Sequence, residues 1–371
     1  MPNILELVYS LKGSYSGAFV TFWCACALLT AVSVLAQKKT WVRQFDAITY
    51  WILAILMVAF AAYRPIGIAR DDLGYLEIYN SVCPTLTCGQ LLQGSRDWGW
   101  YSLVGFLKSF WAGPRVMLWL GAAGLCIKFV VIFRVSKRPL FALLLFTGVF
   151  YQVLDLTAWR IALASTIFLF GLWLLIEGKK TLGWLVTLSC GIFHKQALMS
   201  PLVLLGPLLQ QRFIWLPLFT IPPLALMLSG NLVDVPVQLQ RLGIESLSKF
   251  AIEQGLDGYM ANYSGWRVLP LVFYPLLVLC GWLAWDVFHL NKRLYGYSAA
   301  ALIGCCWVLW VFASMPVAQV RFFDFLVLPI IFLAGNCRVD WWRFLGVVFV
   351  SGGFVLKFNV LHQLLIGSFT L

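Results

Sequence analysis

The chain has 371 residues, of which 61% are apolar and 11% are charged, with a mean hydropathy of +0.87 and a formal net charge of +12. Soluble domains are about 45–50% apolar, so this composition excludes an ordinary soluble enzyme and indicates a polytopic helical membrane protein. No cluster of Lys and Arg alternates with aromatic residues, which argues against nucleic acid as a partner. A basic membrane chain instead places its positive loops against anionic membrane lipids.

Apolar runs of a length suited to membrane spans recur along the whole chain. The first run ends in VLAQKK, where Val34 and Ala36 loosely fit a signal-peptide cleavage site, but the run's length and the basic residues after it favour a retained span. We predict an all-α, single transmembrane domain covering residues 1–371. Its spans, about twelve in number, are 17–36, 47–63, 116–134, 139–154, 158–176, 182–195, 198–210, 213–230, 268–288, 295–315, 321–336 and 341–358.

Three short runs depart from this pattern. The run 98–111, WGWYSLVGFLKSFW, is aromatic and contains a lysine, which predicts an interfacial or re-entrant helix. The runs 182–195 and 198–210 are also short, so two half-spans that meet near His194 are an alternative to two full spans.

Basic residues are dense in six short connectors, QKKTWVRQ, RVSKRP, EGKK, QQR, HLNKR and CRVDWWR. If the run 98–111 does not cross the membrane, all six connectors lie on one side, which the positive-inside tendency makes the cytoplasm. If it does cross, every later segment inverts. The first alternative places two long loops outside, 64–115 and 231–267. The second loop contains IESLSKFAIEQGLDGYMANY, an amphipathic pattern suited to a helix on the membrane surface.

Ionisable residues gather at the predicted outer ends of four separate segments. They are Arg64, Arg70, Asp71 and Asp72 after the second span, Asp155 and Arg160, His194 and Lys195, and Arg321 and Asp324. Charged groups at membrane depth are costly and usually face a cavity or each other. This grouping therefore predicts a functional site on the outer face.

The residue types indicate what such a site would bind. Arg160, Arg321 and Lys195, with either Arg64 or Arg70, would form a cationic pocket, and arginine forks suit the oxygens of a lipid pyrophosphate. A second group would form a carbohydrate surface, because its carboxylate can polarise a sugar hydroxyl and its aromatic rings can stack on sugar C–H faces. Its members recur at every fourth position, so they share one face if the stretch is helical. This group consists of Asp71, Tyr75 and Tyr79.

Plainer interpretations remain open for several of these residues. Arg64 is typical of an anchor at the membrane interface, Asp155 of a cap on the helix that follows it, and Asp324 of a partner for Arg321. A lone buried histidine such as His194 is usually structural. The sequence contains no metal-ligand spacing and no Gly-rich nucleotide loop, so we expect no metal and no other cofactor.

Eight of the ten cysteines lie in or beside apolar runs and are typical of small core residues. Cys83 and Cys88 differ because they lie in a polar loop, CPTLTC. If that loop is extracytoplasmic, a local disulfide is plausible. Metal binding fits less well because no histidine lies near these cysteines.

Four motifs in chain order, RPIGIARDDLGY, WRIALAS, FHKQAL and RFFDF, resemble the EpsG-like branch of the Wzy-type polysaccharide polymerases. The family commonly has a small residue at the position of Arg70, Gln at Ile161 and Ser at Gln196. The choice of the acidic site residue therefore stays open between Asp71 and Asp72, although Asp71 matches the family's spacing to Tyr75 better.

The resemblance implies a membrane glycosyltransferase of the GT-C type in the bacterial inner membrane. Such a polymerase moves a growing glycan from undecaprenyl pyrophosphate to the non-reducing end of a lipid-linked repeat unit at the periplasmic face, often beside a chain-length regulator. Arg160 and Arg321 would then hold the pyrophosphate, His194 would assist there or act as base, and Asp71 or Asp72 would orient or deprotonate the acceptor.

Other functions share some of these features. An O-antigen ligase would use the same donor with a different acceptor, and a membrane O-acyltransferase would need its base near a cytoplasmic donor. A flippase for lipid-linked oligosaccharides would favour internal repeats and polar groups along a transmembrane path. Polarity gathered at one face favours an enzyme over a transporter.

Overall fold

A computed structural model describes residues 4–37, 39–66, 72–81, 98–111, 113–156, 158–229, 269–312 and 316–356, together with residues 238 and 241. The described part is all-helical and contains no strand. The elements in order are α1 (Ile4–Leu35), α2 (Val42–Tyr63), α3 (Asp72–Ser81), α4 (Trp98–Phe110), α5 (Arg115–Val135), α6 (Pro139–Phe146), a π-helix (Thr147–Leu156), α7 (Trp159–Ile176), α8 (Lys180–Ser189), two 3-10 segments (Cys190–Ile192 and Lys195–Leu205), α9 (Gly206–Leu209), α10 (Trp215–Leu228), α11 (Leu269–Leu290), α12 (Lys292–Val311), α13 (Pro316–Leu326), α14 (Ile330–Asn336) and α15 (Trp341–Leu356).

Seven stretches within the described residues are long and apolar enough to cross a membrane. They are Gly17–Leu35, Val42–Tyr63, Arg115–Val135, Pro139–Leu156, Trp159–Ile176, Phe273–Leu290 and Lys292–Val311. Each matches a predicted span, so the polytopic all-α class is confirmed. Shorter apolar helices occupy Ala197–Leu209, Trp215–Leu226 and Trp341–Leu356. The structure therefore supports a multi-pass membrane protein without establishing twelve spans.

Local sequence explains where several of these helices begin and end. Pro139 starts α6 at a position that needs no backbone N–H donor. The side chain of Asn291 caps α12 by accepting a hydrogen bond from the backbone N–H of Leu294 at 3.0 Å. Gly178 follows α7 with a φ of 87°, a left-handed conformation that glycine adopts at low cost. Pro329 separates α13 from α14.

One large apolar core occupies the centre of the helices. α6 is buried along its whole length, and α7 packs against α5 and α8. A second, smaller group, which we call the aromatic cluster, consists of Tyr75, Tyr79, Trp100, Val104, Val116, Met117, Leu118 and Trp159. It joins α3 and α4 to the beginnings of α5 and α7. The short helices α3 and α4 are therefore packed against the starts of two spans, α5 and α7.

The short basic connectors meet at one end of the helices. Arg138 reaches Asp46 at 3.2 Å, and Arg293 donates to the carbonyl of Ile176 at 3.1 Å. Arg343 contacts Asp286 at 2.9 Å. The backbone N–H of Arg138 also donates to the carbonyl of Gly335 at the end of α14, at 2.9 Å. Together these contacts link the connectors after α1, α5, α7, α11 and α14, as expected if they share one side of the membrane.

α4 lies against the opposite end. Its 13 residues extend about 20 Å, short of the roughly 30 Å of a bilayer's hydrocarbon core. A Cβ added to Gly99 would overlap Ile192, so glycine lets α4 approach the first 3-10 segment closely. That segment ends at Ile192 and the next begins at Lys195, so the helical structure breaks at His194. The predicted amphipathic helix within 231–267 lies outside the described residues.

Candidate active site

A buried ion pair joins the end of α2 to the start of α3. The Arg64 guanidinium donates from Nη1 to Asp72 Oδ2 at 2.5 Å and from Nη2 to Asp72 Oδ1 at 2.8 Å. The two side chains are 1% and 0% exposed. Arg64 is therefore not an anchor in the membrane interface, because a second residue from the same polar stretch removes it from solvent and lipid.

The same guanidinium also holds the end of the π-helix. Arg64 Nη2 donates to the backbone carbonyl of Leu156 at 2.7 Å, and the cation lies 5.9 Å from the centre of the Trp159 ring. The last carbonyls of a helix have no partner within the helix and need an external donor. One arginine thus fixes three elements relative to each other: α3, the π-helix and the start of α7.

Aromatic stacking attaches α3 to α7. The rings of Tyr75 and Trp159 stack with centroids 4.9 Å apart and an interplanar angle of 12°. The Tyr75 hydroxyl accepts from the backbone N–H of Arg160 at 3.4 Å, and the Arg160 guanidinium lies 5.7 Å from the centre of the Tyr75 ring. The half-buried Arg160 cation therefore lies beside the stretch that carries Asp72. The described residues Arg64 and Asp72 of the first predicted group therefore lie close to Arg160 of the second.

Tyr79 helps to hold α4 against α3. Its hydroxyl donates to the carbonyl of Trp111 at 3.0 Å, and Lys108 Nζ donates to the Tyr79 carbonyl at 2.8 Å. Burial raises the pKa of the Tyr79 hydroxyl, so that it remains a donor. In the structure Tyr79 contacts protein groups on α4 and the residue after it. Tyr79, one of the two tyrosines predicted to face a carbohydrate, is thus used to pack α3 against α4.

A second buried ion pair lies next to this site, and one of its members, Asp155, directly precedes Leu156. Lys128 Nζ on α5 donates to Asp155 Oδ1 at 2.5 Å, and the two side chains are 0% and 1% exposed. Asp155 does not cap the following helix, whose N-cap is Ala158. Sequence reasoning missed Lys128, although a single lysine in the middle of an apolar run is a recognisable signal for a buried partner.

Adjacent residues at the end of the π-helix, Asp155 and Leu156, contact different cations. Asp155 pairs with Lys128, while the carbonyl of the next residue, Leu156, accepts from Arg64. Wide helical turns of this kind are often found at functional sites. The two buried cations are therefore linked through adjacent residues of one segment.

The remaining predicted residues occupy neighbouring elements. His194 is buried at the break between the two 3-10 segments, two residues after Ile192, which packs against α4. Lys195 begins the second 3-10 segment, and its side chain lies outside the described part. Arg321 is exposed on α13, which packs against that segment. Arg70, Asp71, Cys83 and Cys88, with the predicted disulfide, lie outside the described residues.

The described residues contain no group of three or more His, Cys, Asp or Glu side chains positioned to hold a metal ion. The charged groups that the site does present are guanidinium, ammonium and carboxylate, which suit anionic oxygens and hydroxyls.

Comparison with protein families matches residues 47–364 to the EpsG family. The chain belongs to the EpsG family. Its members are Wzy-like polysaccharide polymerases and glycosyltransferases. The match covers all four motifs that carry the resemblance, from RPIGIARDDLGY to RFFDF. No curated protein and no solved structure matched the chain.

Proposed function

We propose that this member of the EpsG family is a polysaccharide polymerase of the bacterial inner membrane, with its site on the periplasmic side. It transfers a growing glycan from undecaprenyl pyrophosphate to the non-reducing end of a lipid-linked repeat unit. The observation that carries the proposal is the contact between the first two motifs, where Arg160 lies beside Tyr75 and close to the Arg64–Asp72 pair.

The proposed reaction needs cations for the leaving group. The acceptor hydroxyl oxygen attacks the anomeric carbon, the bond from that carbon to the pyrophosphate oxygen breaks, and the pyrophosphate leaves with the electron pair. Arg160 and Arg321 stabilise the charge that develops there, an effect worth about 3–4 kcal/mol per donor in other enzymes. Because arginines supply this charge, the reaction as proposed uses neither a metal nor another cofactor.

The reaction also needs a base to take the proton from the acceptor hydroxyl. Asp72 suits this task poorly, because its side chain is fully buried and both its oxygens accept from Arg64. We therefore assign Asp72 and Arg64 to positioning α3, and the base to Asp71 or His194. This refines the sequence-based assignment, which left the choice between Asp71 and Asp72 open and favoured Asp71 by its spacing to Tyr75.

A complementation experiment tests the proposed function. A deletion strain is expected to carry single repeat units, and the wild-type chain is expected to restore a polysaccharide ladder on gels. Arg160→Ala should remove the ladder while the protein stays in the membrane. Arg134→Ala is the matched control, because Arg134 is an exposed arginine at the far end of α5.

Two results would overturn the proposal. A ladder of normal length from Arg160→Ala would remove this residue from the reaction. Loss of the single repeat unit in the deletion strain would indicate export or ligation, the functions of a flippase or an O-antigen ligase.

A further inference from the structure

An open groove lies beside the site, at the beginning of α5. It has a volume of about 520 Å³, and its walls include Ile66, Trp111, Pro114, Arg115, Val116 and Trp119. Volumes of about 300–1,000 Å³ are typical of small-molecule sites. The groove is therefore large enough for a segment of a ligand rather than for a few water molecules.

The walls of the groove are continuous with the site. Val116 belongs to the aromatic cluster and Ile66 packs against it, so the groove shares residues with the group that contains Tyr75 and Trp159. The carbonyl of Pro65, another wall residue, accepts from Arg64 at 3.3 Å. A ligand in the groove would therefore lie next to the α2–α3 junction.

The walls of the groove are mainly apolar, and they include the cation of Arg115. Trp111 and Trp119 are 51% and 45% exposed, and Arg115, one helical turn before Trp119, is also exposed. α5 is a candidate membrane span that begins at Arg115, so Trp119 lies at the depth of the lipid chains and Arg115 at the depth of their head groups. An occupant with a hydrocarbon chain and an anionic head matches this arrangement.

We propose that this groove binds the isoprenoid chain of the lipid-linked substrate next to its pyrophosphate, with Trp111 and Trp119 against the chain and Arg115 near the phosphates. The proposal rests on the proposed function for the identity of the lipid. Bulk phospholipid is the competing occupant. The isoprenoid is favoured because the groove adjoins the aromatic cluster, whose Tyr75 ring contacts Arg160, rather than a remote surface.

Binding in the groove should tune substrate position more than overall affinity. The chain leaves hydrocarbon that is as apolar as the groove, so the hydrophobic effect contributes little. The preference of the chain for the groove over bulk lipid therefore comes from aromatic contacts and from the charge on Arg115. Trp119→Ala should therefore raise the ratio of KM for an undecaprenyl-linked repeat unit to KM for a counterpart whose pyrophosphate carries only an ethyl group by about threefold to tenfold. Trp119→Phe should restore most of this ratio.

Photocrosslinking tests occupancy independently of polymerisation. A photoreactive benzoylphenylalanine replaces Trp119 in the full-length protein, in nanodiscs of phosphatidylglycerol with added undecaprenyl pyrophosphate. The matched control replaces Trp184, which is 41% exposed on α8. We expect undecaprenyl pyrophosphate to be captured at position 119 in excess over its share of the lipid, and not at position 184.

The outcomes test the proposed groove occupant and the proposed function separately. Capture at position 119 without any polymerisation by the wild-type protein would support the groove and contradict the polymerase. Polymerisation without selective capture, or capture of phosphatidylglycerol in proportion to its abundance, would overturn the groove. An equal rise in KM for both substrates on Trp119→Ala would also overturn it, because a damaged site does not distinguish chain length.

Discussion

The two ends of α2 carry the same chemistry in different surroundings. Near the beginning of the helix, Asp46 pairs with Arg138, whose side chain is 30% exposed. Just after its end, Arg64 pairs with Asp72, and both side chains are almost completely buried. The same type of ion pair thus lies at a partly solvated connector at one end of α2 and in the interior of the candidate site at the other end.

This difference matters because burial changes what an ion pair costs to break. Exposed pairs contribute about 0–1 kcal/mol, whereas removing one partner of a buried pair costs about 3–5 kcal/mol, since the other charge stays buried. The Arg64–Asp72 and Lys128–Asp155 pairs belong to the second kind. These two pairs should therefore respond more strongly to a single charge deletion than the Asp46–Arg138 pair does.

The largest effect is expected at the Arg64–Asp72 pair. Asp72→Ala should lower the free energy of unfolding by about 3–5 kcal/mol, because Arg64 stays buried without its carboxylate. The double variant Arg64→Leu with Asp72→Leu should recover much of this loss and remain inactive. Thermal denaturation in detergent, followed by size-exclusion chromatography, measures the first effect, and the polysaccharide ladder measures the second.

Arg138→Ala is the comparison at the other end of α2. It leaves the buried Asp46 carboxylate without this partner, but at a position that water reaches through the 30% exposed Arg138, so the expected loss is about 1–3 kcal/mol, smaller than for Asp72→Ala. Equal losses at the two ends of α2 would contradict the assignment of different roles to the two pairs.

The Lys128–Asp155 pair should give the next largest effect. Lys128→Met and Asp155→Asn should each destabilise the protein by about 3 kcal/mol, and the double variant should be more stable than Lys128→Met alone, since neither charge remains. A coupling energy near zero in the double-mutant cycle would show that the two side chains do not interact.

A steric change at α4 should have a moderate effect. Gly99→Ala places a methyl group against Ile192 and should cost about 1–3 kcal/mol through overpacking. Gly121→Ala on α5 is the control, because a Cβ there meets nothing within 4 Å. Alanine is the better helix former, so this control should be neutral or stabilising. A neutral Gly99→Ala would mean that α4 does not pack closely on the first 3-10 segment.

The smallest effect is expected from Tyr79→Phe. The substitution keeps the ring in the aromatic cluster and removes only the hydrogen bond to the Trp111 carbonyl, worth about 1 kcal/mol. The denaturation midpoint should fall by a few degrees at most, with the ladder preserved. Complete loss of the ladder in a stable Tyr79→Phe protein would instead give the hydroxyl a direct part in substrate binding.

Sequence reasoning found the long helices because apolar length alone defines them. The predicted spans 116–134 and 158–176 differ from α5 and α7 by one residue at each affected end. It also selected Arg64, Asp72 and Arg160, because ionisable residues at membrane depth are costly and gather at few places outside the basic connectors. The resemblance to the EpsG family, stated from four short motifs, is confirmed by the family match.

The partners of these residues were not predictable in the same way. Whether Arg64 faces lipid or Asp72 depends on how α3 folds back on α2, which no local pattern specifies. Lys128 and Asp155 are 27 positions apart, and only the packing of α5 against the π-helix joins them. The π-helix itself has no distinctive composition, because its residues would fit an α-helix equally well.

The ten residues of the π-helix impose a constraint on chain length rather than on composition. Removing one residue between α6 and Asp155 while the stretch keeps its wide turns would rotate every following side chain about the helix axis relative to α6. Asp155 would then point away from Lys128, and the Leu156 carbonyl away from Arg64. Among natural variants of this chain, substitutions at the partly exposed Gln152 and Val153 should therefore be more common than single-residue deletions, whereas Gly148, where a Cβ would overlap Ser351, should stay glycine.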